Sequence, residues 1–162
     1  MSTTNIDEIR RLAHSFRNGI KNAVANGGIS SRSTKSTMIY FPKGCCEVAS
    51  DLLAQYLLDR GIHTKSVHGE YAYDDWENKF SHTWLETGSG VIIDITAEQF
   101  VDNGIFKVLG VMPCFVGTDR SFYSLFSDNY REETFHGLKC CDGDFYRQNV
   151  VPLYEIILCN IT

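Results

Sequence analysis

The chain has 162 residues, 43% of them hydrophobic and 22% charged, with a net charge of −5. That is the length of one domain with enough apolar material for a sizeable core, and it excludes disordered and collagen-like classes. No apolar stretch reaches the roughly 20 residues of a membrane span, and an acidic chain lacks the concentrated basic face that phosphates demand, so the expectation is a soluble, cytoplasmic protein with neither a membrane nor a nucleic-acid partner.

The charge is uneven. Residues 1–36 hold six basic residues against two acidic ones, and the remainder carries nine against eighteen. A basic N-terminal helix on an acidic body reads as intramolecular complementarity. Six cysteines include the adjacent pairs Cys45-Cys46 and Cys140-Cys141, which lack the two-residue gap of a zinc-binding CxxC turn. Reduced thiols are expected instead of a disulfide framework.

In chain order, Asn5 with Glu8 three residues on resembles a helix cap, and Ile6, Ile9, Ala13, Phe16, Ile20 and Ala23 recur at helical spacing as far as Gly27-Gly28. Ile29 to Thr37 reads as an exposed connection into the apolar run Met38 to Phe41. After Pro42 and Gly44, the positions Ala49, Leu52, Leu53, Tyr56 and Leu57 predict a helix that buries one stripe and stops at Gly61, with Cys45 and Cys46 in its first turn. Strands are predicted over Thr64 to Ala72, Phe80 to Glu86 and Val91 to Thr96, with a polar turn at Asp74 to Asn78. A short helix over Ala97 to Asn103, strand-like Phe106 to Val116, an aromatic stretch around Phe122, Tyr123, Phe126 and Tyr130, and a final strand from Val151 to Cys159 complete the chain. The fold class is α+β, one domain over 1–162: an N-terminal helix over 1–28, a core over 41–100, and sheet completion over 101–162.

A thiol is a nucleophile only as thiolate, and a helix N-terminus lowers its pKa through unpaired N–H groups and the positive dipole end. Cys46 is placed for that, although most free cysteines are small buried hydrophobes. Such a nucleophile needs a base, and the base needs a third group to orient it. His82 lies in Ser-His-Thr-Trp-Leu-Glu, and Asp94 stands between isoleucines in an apolar strand, where a carboxylate needs a partner. Whether they meet depends on hairpin parity. A two-residue turn at Gly88-Ser89 sends His82 to the face opposite Asp94. A three-residue loop Thr87-Gly88-Ser89 sets them directly across from each other, and Gly88-Ser89-Gly90 makes them diagonal neighbours on one face. The expectation is an odd loop or a bulge.

Three blocks stand in order: Phe41-Pro42-Lys43-Gly44-Cys45-Cys46, Ser81-His82-Thr83-Trp84-Leu85, and Asp94-Ile95-Thr96-Ala97-Glu98-Gln99-Phe100. They resemble the transglutaminase-like branch of the papain-like superfamily, in the form carried by small bacterial proteins. The resemblance implies a core in which a helix bearing the nucleophile packs on an antiparallel sheet. It sets Cys46 as nucleophile, His82 as base and Asp94 as orienting acid. The implied chemistry is cofactor-free acyl transfer or hydrolysis at a peptide or protein amide, with water or an amine as acceptor. No glutamine of the papain kind precedes Cys46, and the last 60 or so residues match no pattern of the family.

Other residues carry two readings each. Trp84 walls a substrate pocket or packs a core, and Gln99 donates to a substrate or is a helix cap or surface amide. His68 is a second base, a metal ligand or a solvated strand residue. His136 with Cys140 and Cys141 is an incomplete zinc set, and Asp74, Asp75 and Glu77 form a solvated turn without the calcium-loop pattern. Two rivals to the thiol enzyme are an inert interaction module on the same fold and a zinc module built on Cys45, Cys46, His82 and Asp94.

Overall fold

The computed structural model describes residues 5–30, 37–71, 80–104, 106, 110–141 and 143–162. Helix α1 (Ile6–Ala25) starts where the Asn5 side chain accepts the Asp7 N–H at 3.0 Å, with Asp7 and Glu8 at the positive end of its dipole. Its stripe of Ile9, Leu12, Ala13, Phe16, Ile20 and Ala23 is buried. The buried Arg17 leaves this helix to donate to the Ile95 carbonyl at 3.3 Å and to pair with Glu98. Helix α2 (Cys46–Leu58) buries Ala49, Leu52, Leu53, Tyr56 and Leu57, the positions its spacing predicts, and Cys46 is its first residue.

Five strands follow: β1 (Thr64–Glu70), β2 (Ser81–Thr87), β3 (Ile92–Asp94), β4 (Phe115–Gly117) and β5 (Asp128–Thr134). They form one sheet in the order β4-β3-β2-β1-β5, with every neighbouring pair antiparallel. Alternation along the strands gives the sheet two unlike faces. Leu85 and Ile93 pack into an aliphatic core with α1, α2 and the C-terminal helix α3 (Val151–Leu158). Val67, Trp84 and Ile92 face the other way, under Phe100, Phe106, Phe122, Tyr123 and Phe126. The architecture is therefore α+β, helices on an antiparallel sheet, as expected. Among the described residues no helix is long and apolar enough to cross a membrane.

Gly69 lets the aromatic layer close over the sheet. A Cβ there would lie 2.0 Å from the Phe126 carbonyl oxygen, so only glycine admits that backbone crossing. The β1–β5 ladder shifts register between His68 and Glu70, around the same residue.

Four elements differ from expectation. The segment read as a final strand is α3, preceded by a π turn over Tyr146–Val150. Its β-branched residues favour a strand, but Leu153, Tyr154 and Ile157 bury one helical face, and Pro152 sits in the first turn, where its missing N–H costs nothing. Among the described residues of 106–116, only the end lies in a strand, β4; Phe106 is buried in the aromatic core. The expected helix after β3 is a 3-10 turn, Ala97–Phe100. Strand β5 lacked an apolar alternation because all seven of its residues are exposed, as suits a charged edge strand. The predicted turn at Asp74 to Asn78 lies outside the described residues.

Candidate active site

The β2–β3 hairpin fixes the site. Leu85 pairs with Ile93 and Glu86 with Ile92. The Thr87 N–H donates to the Val91 carbonyl at 3.0 Å, and the Gly90 N–H to the Thr87 carbonyl at 2.9 Å. The loop is therefore Gly88-Ser89-Gly90, and Gly90 takes the left-handed φ of +82° that closes such a turn. This is the odd register in which His82 and Asp94 are diagonal neighbours on one face. His82 Nε2 lies 2.6 Å from Asp94 Oδ2, with the two residues 0% and 1% exposed.

Asp94 is held from four directions. Its Oδ1 accepts the Thr96 N–H at 2.8 Å and the Thr96 hydroxyl at 3.1 Å; its Oδ2 accepts His82 and the Tyr123 hydroxyl, the latter at 3.1 Å. Burial alone would push this carboxyl up. The His82 charge and hydrogen bond, with the Thr96 and Tyr123 donors, outweigh it and hold the pKa below the ordinary range. For His82, burial opposes the imidazolium, and Asp94 and Cys46 together raise its pKa.

Cys46 is half-buried at the first position of α2. Burial would raise the thiol, but a hydrogen bond to the His82 ring, the His82 charge and a Thr83 backbone N–H hold its pKa below the ordinary value. Since Nε2 is engaged by Asp94, Nδ1 is the ring nitrogen left for the thiol. The strand that brings Thr83 there is tied to α2 by the Ser50 hydroxyl, which donates to the Thr83 carbonyl at 3.3 Å. Cys45, one residue earlier, is 3% exposed within the aliphatic core, where burial pushes its thiol up to about 12. Adjacent cysteines thus carry opposite chemistry.

Gln99 also belongs to the cluster. Its Nε2 donates to the Thr96 carbonyl at 3.1 Å and lies 3.4 Å from His82 Nδ1. Trp84 lies in the aromatic layer on the same face of β2 as His82. It is 1% exposed, its indole N–H donates to Glu86 Oε1 at 3.0 Å, and its ring packs against Tyr123, so the packing alternative describes it. Thr83, Thr96 and Tyr123 were not singled out from the sequence for this site. An Asp with Thr two residues on is an Asx-type signal that could have found Thr96; nothing local marks Tyr123.

A cavity of about 320 Å³ opens beside Glu47 and Thr83, the neighbours of the thiol in sequence and in space, and reaches Asp51, His68, Arg131, Glu133 and Tyr146. Burial pushes Asp51 up to about 6 against the Tyr146 hydrogen bond, and Glu47 and Glu133 add to the rise. His68 Nδ1 lies 2.9 Å from the Thr83 hydroxyl, and burial and Arg131 lower its pKa against Glu47 and Glu70. His136, Cys140 and Cys141 line the same cavity. Among the described residues no group of three or more His, Cys, Asp and Glu side chains is arranged to hold a metal. The zinc set of Cys45, Cys46, His82 and Asp94 does not converge, because Cys45 packs into the helical core.

No family model, curated protein or solved structure matches the chain.

Proposed function

We propose that the protein is a thiol enzyme acting at an amide bond, with Cys46 as nucleophile, His82 as acid and base, and Asp94 as the group that orients His82. One arrangement carries this reading: a single buried imidazole stands between the half-buried thiol at the start of α2 and a carboxylate that accepts from it and from three further donors. A His–Asp pair kept only for packing needs no thiol on the other side of the ring. The likeness of the three sequence blocks to the transglutaminase-like branch of the papain-like superfamily supports the same assignment.

In the first step the Cys46 thiolate attacks the carbonyl carbon and a C–S bond forms. The His82 imidazolium gives its proton to the leaving amine as the C–N bond breaks, leaving an acyl thioester and neutral imidazole. His82 then takes a proton from water or an acceptor amine as it attacks, and the thiolate departs. Asp94 holds the ring in one tautomer and stabilises its cation. The developing oxyanion is met by the Cys46 N–H, which at the start of α2 has no partner within the helix, and the Gln99 amide beside His82 Nδ1 is the substrate donor. The polar cavity beside Glu47 and Thr83 is where the groups flanking the scissile bond would lie. No cofactor is required by this chemistry.

An activated acyl thioester offered to the protein, followed by acid quench and peptide mass spectrometry, tests the reading. Acylation should fall on Cys46, be absent from Cys46→Ala, and be unchanged in Cys45→Ala. Acyl groups spread over the exposed Cys140 and Cys159 without preference for Cys46 would favour the inert interaction module.

A further inference from the structure

The segment after β4 contributes a residue to the site that none of the three sequence blocks contains. We infer that Tyr123 is a positioning residue that tunes proton sharing along Cys46, His82 and Asp94 by donating its hydroxyl to the same carboxylate oxygen that receives the imidazole. This inference rests on the thiol-enzyme reading.

The geometry leaves the phenol one role. Asp94 Oδ2 accepts His82 at 2.6 Å and Tyr123 at 3.1 Å, while Oδ1 is satisfied separately by Thr96. Tyr123 is 4% exposed, and its ring is wedged against Trp84, Phe122 and Phe115 at centroid distances of 5.0, 5.0 and 5.5 Å. Three residues earlier, Arg120 grips Glu86 through two bonds of 2.9 and 2.8 Å, so the segment is fixed on both sides of the site. Burial and the adjacent Asp94 hold the phenol protonated. It is therefore a permanent donor.

A hydrogen bond to Oδ2 draws charge from the oxygen that stabilises the imidazolium. Removing it leaves Asp94 ionised and oriented by Thr96 but makes Oδ2 a stronger partner for His82. The imidazolium gains, and Cys46 gives up its proton at lower pH. The other titratable groups near the pair are Cys114, which precedes β4 and is held protonated by burial, and His68 on β1, which His82 itself disfavours as a cation. Arg17 opposes the rise of the Cys114 thiol, and Cys114 in turn adds to the rise at the Tyr123 hydroxyl.

The test is the pH dependence of Cys46 alkylation in the full chain, compared between wild type, Tyr123→Phe and a protein with 3-fluorotyrosine at position 123. In Tyr123→Phe the acid limb should move to lower pH, raising the rate on that limb about threefold for a shift near half a pH unit. The fluorinated phenol is a stronger donor and should move the limb the other way. Loss of packing alone would not produce shifts of opposite sign. Superimposable limbs, or shifts of one sign in both proteins, would overturn the inference while leaving the thiol-enzyme reading intact. If Tyr123→Phe does not fold, the fluorotyrosine arm decides by itself. A wild-type limb at the pH of a free thiol would instead remove the reading on which the inference rests.

Discussion

The two ends of the buried face of β2 hold ionisable groups with opposite purposes. At one end Glu86, 1% exposed, receives the Trp84 indole at 3.0 Å, both Arg120 nitrogens, and the Lys65 ammonium at 3.7 Å. At the other end His82 meets Cys46 and Asp94. Trp84 stands between them, and a single segment pins both through Arg120 and Tyr123. The partners of Glu86 are donors, two of them cationic, and they hold its carboxyl below the ordinary range against burial, so its charge is fixed. Those of His82 include a thiol and a carboxylate, both of which titrate, and the thiol is only half-buried. A buried charge becomes chemical when its neighbours can trade a proton with it.

This contrast can be broken from either end. His82→Ala leaves Asp94 buried without its cation and should cost on the order of 3–5 kcal/mol, read by denaturant unfolding near pH 6. Its sign with pH is defined. The raised His82 pKa adds stability that is full below about 6.5 and lost as pH rises through about 9. The lowered Asp94 pKa adds stability present above the unfolded carboxylate value and lost as pH falls through its folded one. The penalty should therefore be largest between roughly pH 4 and 6.5. Arg120→Ala should cost less, about 2 kcal/mol, since Lys65 and Trp84 remain on Glu86, and it should leave Cys46 far more reactive than a free thiol. Equal losses of thiol reactivity in both variants would erase the distinction.

Asp51 sharpens the comparison because it has neither kind of support. Buried, with the Tyr146 hydroxyl at 2.5 Å its one hydrogen-bond donor among the described residues, it has a folded pKa raised to about 6. Stability from a raised carboxyl pKa is present below the unfolded value and lost as pH rises through the folded one. Asp51→Asn should thus stabilise the protein by on the order of 2 kcal/mol at pH 8, with the gain vanishing below about pH 4. Thermal unfolding at the two pH values checks this, and a gain that persists at low pH would contradict it.

Much of the helical face was legible in the sequence, since Ile9, Phe16, Leu52 and Leu57 follow the period of the helices they build. The hairpin parity was legible as a choice between loops, and the Gly88-Ser89-Gly90 option is the one found. The aromatic face was not. Phe106, Phe122, Tyr123 and Phe126 come from segments with little regular structure, so no period marks what they cover, and Tyr123 reaches Asp94 across 29 residues. The last helix misled because its β-branched residues favour strands, although Pro152 carried the contrary signal. Trp84 was legible only as two alternatives, because a tryptophan beside a buried histidine is as easily its wall as its floor.

The most direct test is the rate of iodoacetamide alkylation at each cysteine as a function of pH, read by mass spectrometry for the native protein and for His82→Ala. Cys46 should react well below pH 7 while Cys45 and Cys114 stay inert, and its rate near pH 6 should fall about a hundredfold without His82, as its thiolate fraction returns to that of an ordinary cysteine. A Cys46 profile with the midpoint of a free thiol, unchanged by loss of His82, would contradict the thiolate–imidazolium pair on which the proposed function stands.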